Sequence, residues 1–198
     1  MTQKAHLLMM TALISTVFSA SFTEAQEMPL LETSRAVVQR FATALQVELQ
    51  AALVEGGPQQ AVSVCKEQAP KIASALSRET GAKVGRTSLQ TRNAVNSPEP
   101  WQVEVLVRYF EPEVQATDKR VEYFSQSSGD IRYMQAIRTG GLCLTCHGQD
   151  LSTDLTEQLD RQYPFDRARG YTPGSLRGAF SVTWPQGLRQ AQDVNKVR

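Results

Sequence analysis

Two of the chain's three cysteines and its only histidine beyond residue 6 stand together in "TGGLCLTCHGQD", residues 139–150. The spacing C-x-x-C-H, here Cys143, Cys146 and His147, suits one chemistry in particular. Two thiols add across the two vinyl groups of a haem, and the adjacent imidazole is presented to the iron. A single turn of chain reaches both vinyls and still places the next side chain under the metal. A thioredoxin-like redox pair would put its C-x-x-C early, after a first strand, whereas this motif lies three-quarters of the way along the chain. A structural zinc site needs four protein ligands, and the sequence-adjacent Cys146 and His147 are poorly placed to share one tetrahedral ion.

With His147 committed to one face of the iron, the candidates for the other face are Met28, Met134, Cys65, a lysine, water or nothing. Methionine is the usual partner in small cytochromes c. Met28 lies beside the expected processed N-terminus; Met134 lies shortly before the motif in "DIRYMQAIR". Cys65 falls on a helical face with Ala61, Ala69 and Ile72 and so points inward. An inward cysteine is usually a small core hydrophobe, but an odd thiol in an exported chain needs an explanation. For haem carboxylates, Arg86, Arg92 and Arg132 on strand-like segments are candidate partners, with Arg177 a further option. Tyr163, Asp166, Arg169 and Tyr171 could close a polar loop over the haem edge.

These side chains must be held by elements that the pattern also suggests. Val38, Phe41, Leu45, Leu49 and Ala52 recur at helical spacing over residues 32–57, which Gly56-Gly57 ends. Pro58 suits the start of a second helix, Pro70 should break or kink it, and helix resumes to Gly81. Residues 82–93 read as a strand and 101–110 as a short helix stopped before Pro112. Residues 120–125 and 130–138 read as two strands around a turn, 152–164 as a helix and 176–184 as a final strand. Helices first and strands mixed with helices later predict an α+β fold with an antiparallel sheet.

The 198 residues carry 21 basic and 20 acidic side chains, a formal net charge of +1. That balance gives no reason to expect a nucleic-acid partner, and the length suits one domain. Residues 1–25 differ in texture: Lys4, an apolar run over 7–20, then Thr23 and Ala25 at the −3 and −1 positions of a cleavage site. This is the pattern of a secretory signal peptide. It predicts a periplasmic location and a mature domain over 26–198, with membrane attachment only if the segment is retained. Removing it takes away one basic and one acidic residue, leaving 20 and 19 and the same +1.

The runs "AVSVCKEQAPKIA", "VGRTSLQTRNAVNSPEPW", "GGLCLTCHGQ" and "YPFDRARGYTPGSLRGAFSV" occur in an order that resembles the Tll0287-like haem-binding domain family over nearly the whole mature chain. Ala94 departs from the proline that the family often carries after Arg-Asn. The resemblance implies a PAS-like antiparallel sheet flanked by helices, a long N-terminal helix and one covalent haem c. It also implies axial ligation by His147 and Cys65, and a role in redox or gas sensing.

A thiolate ligand favours ferric over ferrous iron more than a thioether does. Reduction should therefore weaken the Cys65 bond and free a coordination position for a small diatomic ligand such as CO or NO. No kinase or cyclase follows on this chain, so a sensor would act through a redox or signalling protein partner. The alternative is a plain electron-transfer cytochrome with a stable ligand set. An enzymatic role is not expected, since no second histidine is left for acid–base work on the open side.

Overall fold

The computed structural model describes residues 21–127 and 129–186. The expected secretory segment falls mostly within residues 1–20, outside the described residues. The first element, α1 (Ser21–Thr80), is one continuous helical assignment, but its backbone leaves the helical region at Gly56 and Gly57. Gly57 sits at φ +68°, where only glycine is unstrained. The break reverses the chain. A straight helix would separate residues 40 and 79 by roughly 58 Å, yet Arg40 and Glu79 form an ion pair of 2.6 Å. The two arms therefore lie side by side as a helical hairpin. The expected boundary at Gly56-Gly57 and the restart at Pro58 match this break.

Pro70 does not break the second arm: only the two glycines depart from helical angles. A mid-helix proline removes one hydrogen bond and costs about 3 kcal/mol. Burial of Ala69 and Leu76, with Ile72 and Ala73 packed against the same core, holds the arm together on either side.

The sheet has four strands in the order β1-β4-β3-β2, all neighbours antiparallel. They are β1 (Lys83–Thr87), β2 (Glu122–Ser127), β3 (Asp130–Arg138) and β4 (Leu176–Trp184). β1 is shorter than the expected strand over 82–93. After Thr87 the chain leaves the sheet, and Asn93 caps a short 3-10 turn (Ala94–Asn96) by accepting from the Val95 N–H. That cap fixes the local turn without a proline at position 94. At the edge of this exit, Gly178 of β4 has φ +147°, and a Cβ there would lie 2.4 Å from the Thr87 carbonyl oxygen. The close approach sets Ser88 directly beside Arg177.

One face of the sheet receives the α1 hairpin. Val38, Phe41, Ile131, Tyr133, Val182 and Trp184 form the main core there. Trp184 Nε1 donates to the buried Ser34 hydroxyl at 2.8 Å, which itself donates to the Leu30 carbonyl. The other face is covered by a helical run made of α2 (Pro100–Glu104), a π-turn (Val105–Phe110) and α3 (Glu111–Ala116). The expected stop before Pro112 is replaced by this π-turn. The wider turn lets the missing proline N–H and its ring fit without ending the helix. Two further helices, α4 (Gly141–His147) and α5 (Thr153–Gln162), follow β3, and α5 packs Leu155 and Leu159 against Val62 of α1.

Candidate functional site

The C-x-x-C-H segment is α4 itself, two turns of helix whose last residue is His147. Its three functional side chains are half-buried, and all three cysteines of the chain are free thiols. Burial pushes the Cys146 thiol up to about 11. His147 is oriented by one bond: its Nδ1 donates to the Ala168 carbonyl at 2.6 Å. A carbonyl can only accept, so the proton is on Nδ1 and Nε2 presents its lone pair. Burial, reinforced by the charges of Arg177 and Arg92, holds the imidazole pKa well below its ordinary value and keeps the ring neutral. A neutral imidazole with one nitrogen fixed by a backbone carbonyl is the arrangement typical of a metal-binding histidine.

His147, Cys143 and Cys146 line a cleft of about 400 Å³, within the roughly 300–1,000 Å³ range of ligand and cofactor sites. Three materials make its walls. The first arm of α1 contributes the apolar side chains Ala42, Leu45, Leu49 and Leu53, and the second arm contributes Cys65. The sheet and the chain leaving it contribute Arg86, Arg92 and Arg177. Apolar wall, cationic wall and imidazole suit a flat, largely apolar macrocycle with anionic substituents.

The arginines play different parts. Arg92 is committed to the scaffold: its Nη2 donates to the Cys146 carbonyl at 2.6 Å and to the Ala168 carbonyl at 3.3 Å. Its Nε lies 3.2 Å from Asp166, the two side chains being 7 % and 1 % exposed. Arg92 thus ties the end of α4 to the loop that orients His147. Burial pushes the Asp166 carboxyl up, but donors from Arg169 and the Ala168 N–H, with the Arg92 charge, outweigh it and hold it below the usual carboxylate value. Arg86 and Arg177 have no carboxylate partner within ion-pair distance among the described residues. Burial pulls the pKa of each down. Both are half-buried; a partly desolvated cation without a counter-ion is costly, and two facing one cleft fit the two carboxylates that a haem carries.

The structure does not bring every candidate residue to the cleft. Arg132 lies over the Trp101 ring, 4.8 Å from its centroid, and does not line the cleft. Strand alternation explains this: Ile131 and Tyr133 face the α1 hairpin, so Arg132 and Met134 face the other way. Met134 is fully buried with Leu106 and Phe110 and is no ligand for the cleft. Met28 is not among the described side chains. Among the described residues, no three His, Cys, Asp or Glu side chains converge in a way that could hold a bare metal ion. Of the expected closing network, Asp166 and Arg169 form one ion cluster with Arg92. Tyr171 joins Ser88 and Arg177, and its ring meets the His147 ring edge-on at 6.2 Å. Tyr163 lines the cleft, its hydroxyl pushed up to about 12 by burial. Sequence reasoning missed the Ala168 carbonyl, because a backbone acceptor leaves no trace in residue type.

An antiparallel α+β domain with a helical hairpin on one face, presenting C-x-x-C-H into a cationic cleft, defines the class of fold and site. A family model, Tll0287-like, matches residues 1–185, and the chain belongs to that family. Among solved structures it is similar to that of the cyanobacterial heme-protein Tll0287, with a TM-score of 0.63 and 23 % identity. That match covers 80 % of this chain and 96 % of the other, and it shows a shared fold. No curated protein matches the chain. No helix among the described residues is long and apolar enough to cross a membrane.

Proposed function

We propose that the chain is an exported c-type haem protein in which Cys143 and Cys146 attach the porphyrin, His147 is one axial ligand and Cys65 the other. The observation that carries this reading is the His147 ring, held through Nδ1 by Ala168 with Nε2 left for a metal, in a cleft whose other wall carries Cys65. The haem would supply a one-electron couple and, on ligand loss, one coordination position. Arg86 and Arg177 offer cations to its carboxylates, and the first arm of α1 shields one side from water. The sheet is read as a PAS-like scaffold. Export through residues 1–25 to the periplasm belongs to the same reading, since haem attachment of this type occurs outside the cytoplasm.

Cys65, as a thiolate, favours the ferric state; reduction lowers that preference and lets the thiol go. Because Cys65 sits on the second arm of α1, its release couples iron coordination to the position of a helix. This makes the protein a redox or diatomic-gas sensor that signals through a protein partner, with no catalytic turnover of its own. Absorption and EPR spectra of matured wild type and Cys65→Ala, ferric and dithionite-reduced, test the assignment. Low-spin thiolate signals lost in the variant, and CO binding to the reduced wild type, are the expected result. Identical spectra in the two proteins would remove Cys65 from the ligand set.

A second reading, electron transfer without ligand exchange, is favoured by exposed apolar groups next to cleft-lining residues. Val54 is 88 % exposed beside Leu53, and Phe165 is 86 % exposed two residues from Tyr163. A reduced protein that stays six-coordinate and refuses CO would favour this alternative.

A further inference from the structure

Arg177 is placed where two demands collide. Its Nη2 donates to His147 Nε2 at 3.4 Å, the nitrogen that must bind iron if the proposed function holds. Its Nη1 donates to the Ser88 hydroxyl at 3.2 Å and to the Tyr171 hydroxyl at 3.5 Å, and the guanidinium lies 4.9 Å from the centre of the Tyr171 ring. Ser88 in turn donates to the Arg177 carbonyl at 2.8 Å, closing a small ring of contacts. One edge of the guanidinium is therefore pinned by the Ser88 and Tyr171 hydroxyls. The other edge is held only by a nitrogen whose lone pair the metal would take.

We propose that Arg177 is a positioning residue for the haem, pivoting on Ser88 and Tyr171 while its Nη2 edge passes from His147 Nε2 to a haem carboxylate. The inference rests on the proposed function and goes beyond it by assigning one carboxylate to one residue. An N–H donor cannot keep a nitrogen lone pair that is bonded to a metal, so Nη2 needs a new acceptor. Among the described residues no carboxylate within ion-pair distance offers one: Asp166 is already shared between Arg92 and Arg169. A guanidinium fork matches a carboxylate geometrically, and a pairing of this kind in a partly dry cleft is stronger than the neutral contact it replaces. Arg86, on the neighbouring strand, is left for the second carboxylate.

The same geometry gives the sign of the effect. A cation close to the haem favours the ferrous state, because reduction removes one positive charge. Arg177→Met in the matured full chain should therefore raise the ferric-to-ferrous ratio at a fixed potential about tenfold, equivalent to a midpoint lower by about 59 mV for a one-electron couple. The propionate bending band in the resonance Raman spectrum should shift as well. Arg177→Lys keeps the charge without the fork, so its midpoint should stay near that of wild type while the band still shifts. A variant with an intact Soret band, an unmoved midpoint and an unmoved propionate band overturns the assignment. Should Arg177→Met fail to fold, Arg177→Lys decides alone: a shifted band supports the proposal and an unshifted band overturns it. Wild type without protein-bound pigment would remove the haem reading and this assignment with it.

Discussion

The two faces of the four-stranded sheet bury different kinds of side chain. Beneath α2, the π-turn and α3, the filling is mostly apolar: Leu106, Phe110, Met134 and Ala179, with Gln102 donating to the Ser181 hydroxyl at 2.9 Å and Arg132 stacked on the Trp101 ring. On the side of α4 and the α1 hairpin, the chain half-buries an imidazole, two free thiols of the motif and two arginines without carboxylates among the described residues. A fold gains nothing from unbalanced, partly desolvated cations. Two such arginines meeting an imidazole and thiols around one cleft suit that face to a ligand, whereas the single arginine of the other face, Arg132, lies on the Trp101 ring in packing that holds the sheet.

The sharpest way to break this contrast is to exchange the treatment of the two faces. His147→Ala, matured in a haem-attachment host, should abolish the low-spin ferric EPR signal altogether, while Met134→Leu should leave the whole spectrum unchanged. An altered spectrum in Met134→Leu would return that methionine to the ligand set. Next in size, Phe110→Ala should cost about 3–5 kcal/mol in denaturant unfolding without moving the Soret maximum, because Phe110 is fully buried on the far face.

Asp166→Asn should cost about 3 kcal/mol, since it leaves the buried Arg92 without its counter-ion. A pH titration of stability sharpens this prediction. The folded Asp166 carboxyl lies below its unfolded value of about 3.9. Its contribution is therefore complete above that value and lost as pH falls through the folded value. Wild type should lose this part of its stability below about pH 4, and the variant should lack that component of the curve; parallel curves would contradict the assigned role. The smallest effect belongs to the surface. Glu79→Gln removes an exposed pair between the two arms of α1 and should leave both melting temperature and spectrum unchanged.

What the sequence made legible follows from whether the signal resides in side chains. The helical period of Val38, Phe41 and Leu45 and the glycine pair at 56–57 are side-chain or glycine signals, and the structure uses both as read; C-x-x-C-H is a side-chain signal too, and its three functional residues line the cleft. Arg132 was misplaced because strand periodicity shows that a residue faces inward without showing which of two covered faces it meets. Arg92, expected to pair with a haem carboxylate, lines the cleft but binds the backbone carbonyls of Cys146 and Ala168, acceptors that every residue type carries. The end of β1 at Thr87 was equally hidden, because it depends on the approach of Gly178 from a strand ninety residues away. Pro70 and Pro112 carry strong local signals that tertiary packing and a π-turn overrode.

One measurement reaches the central claim directly. Full-length protein exported and matured with a haem-attachment system is purified, extracted with acidified acetone and assayed as the pyridine haemochrome. The account predicts that the pigment stays with the polypeptide and that Cys143→Ala/Cys146→Ala releases it. Colourless wild-type protein, or pigment that moves into the acetone, would contradict it.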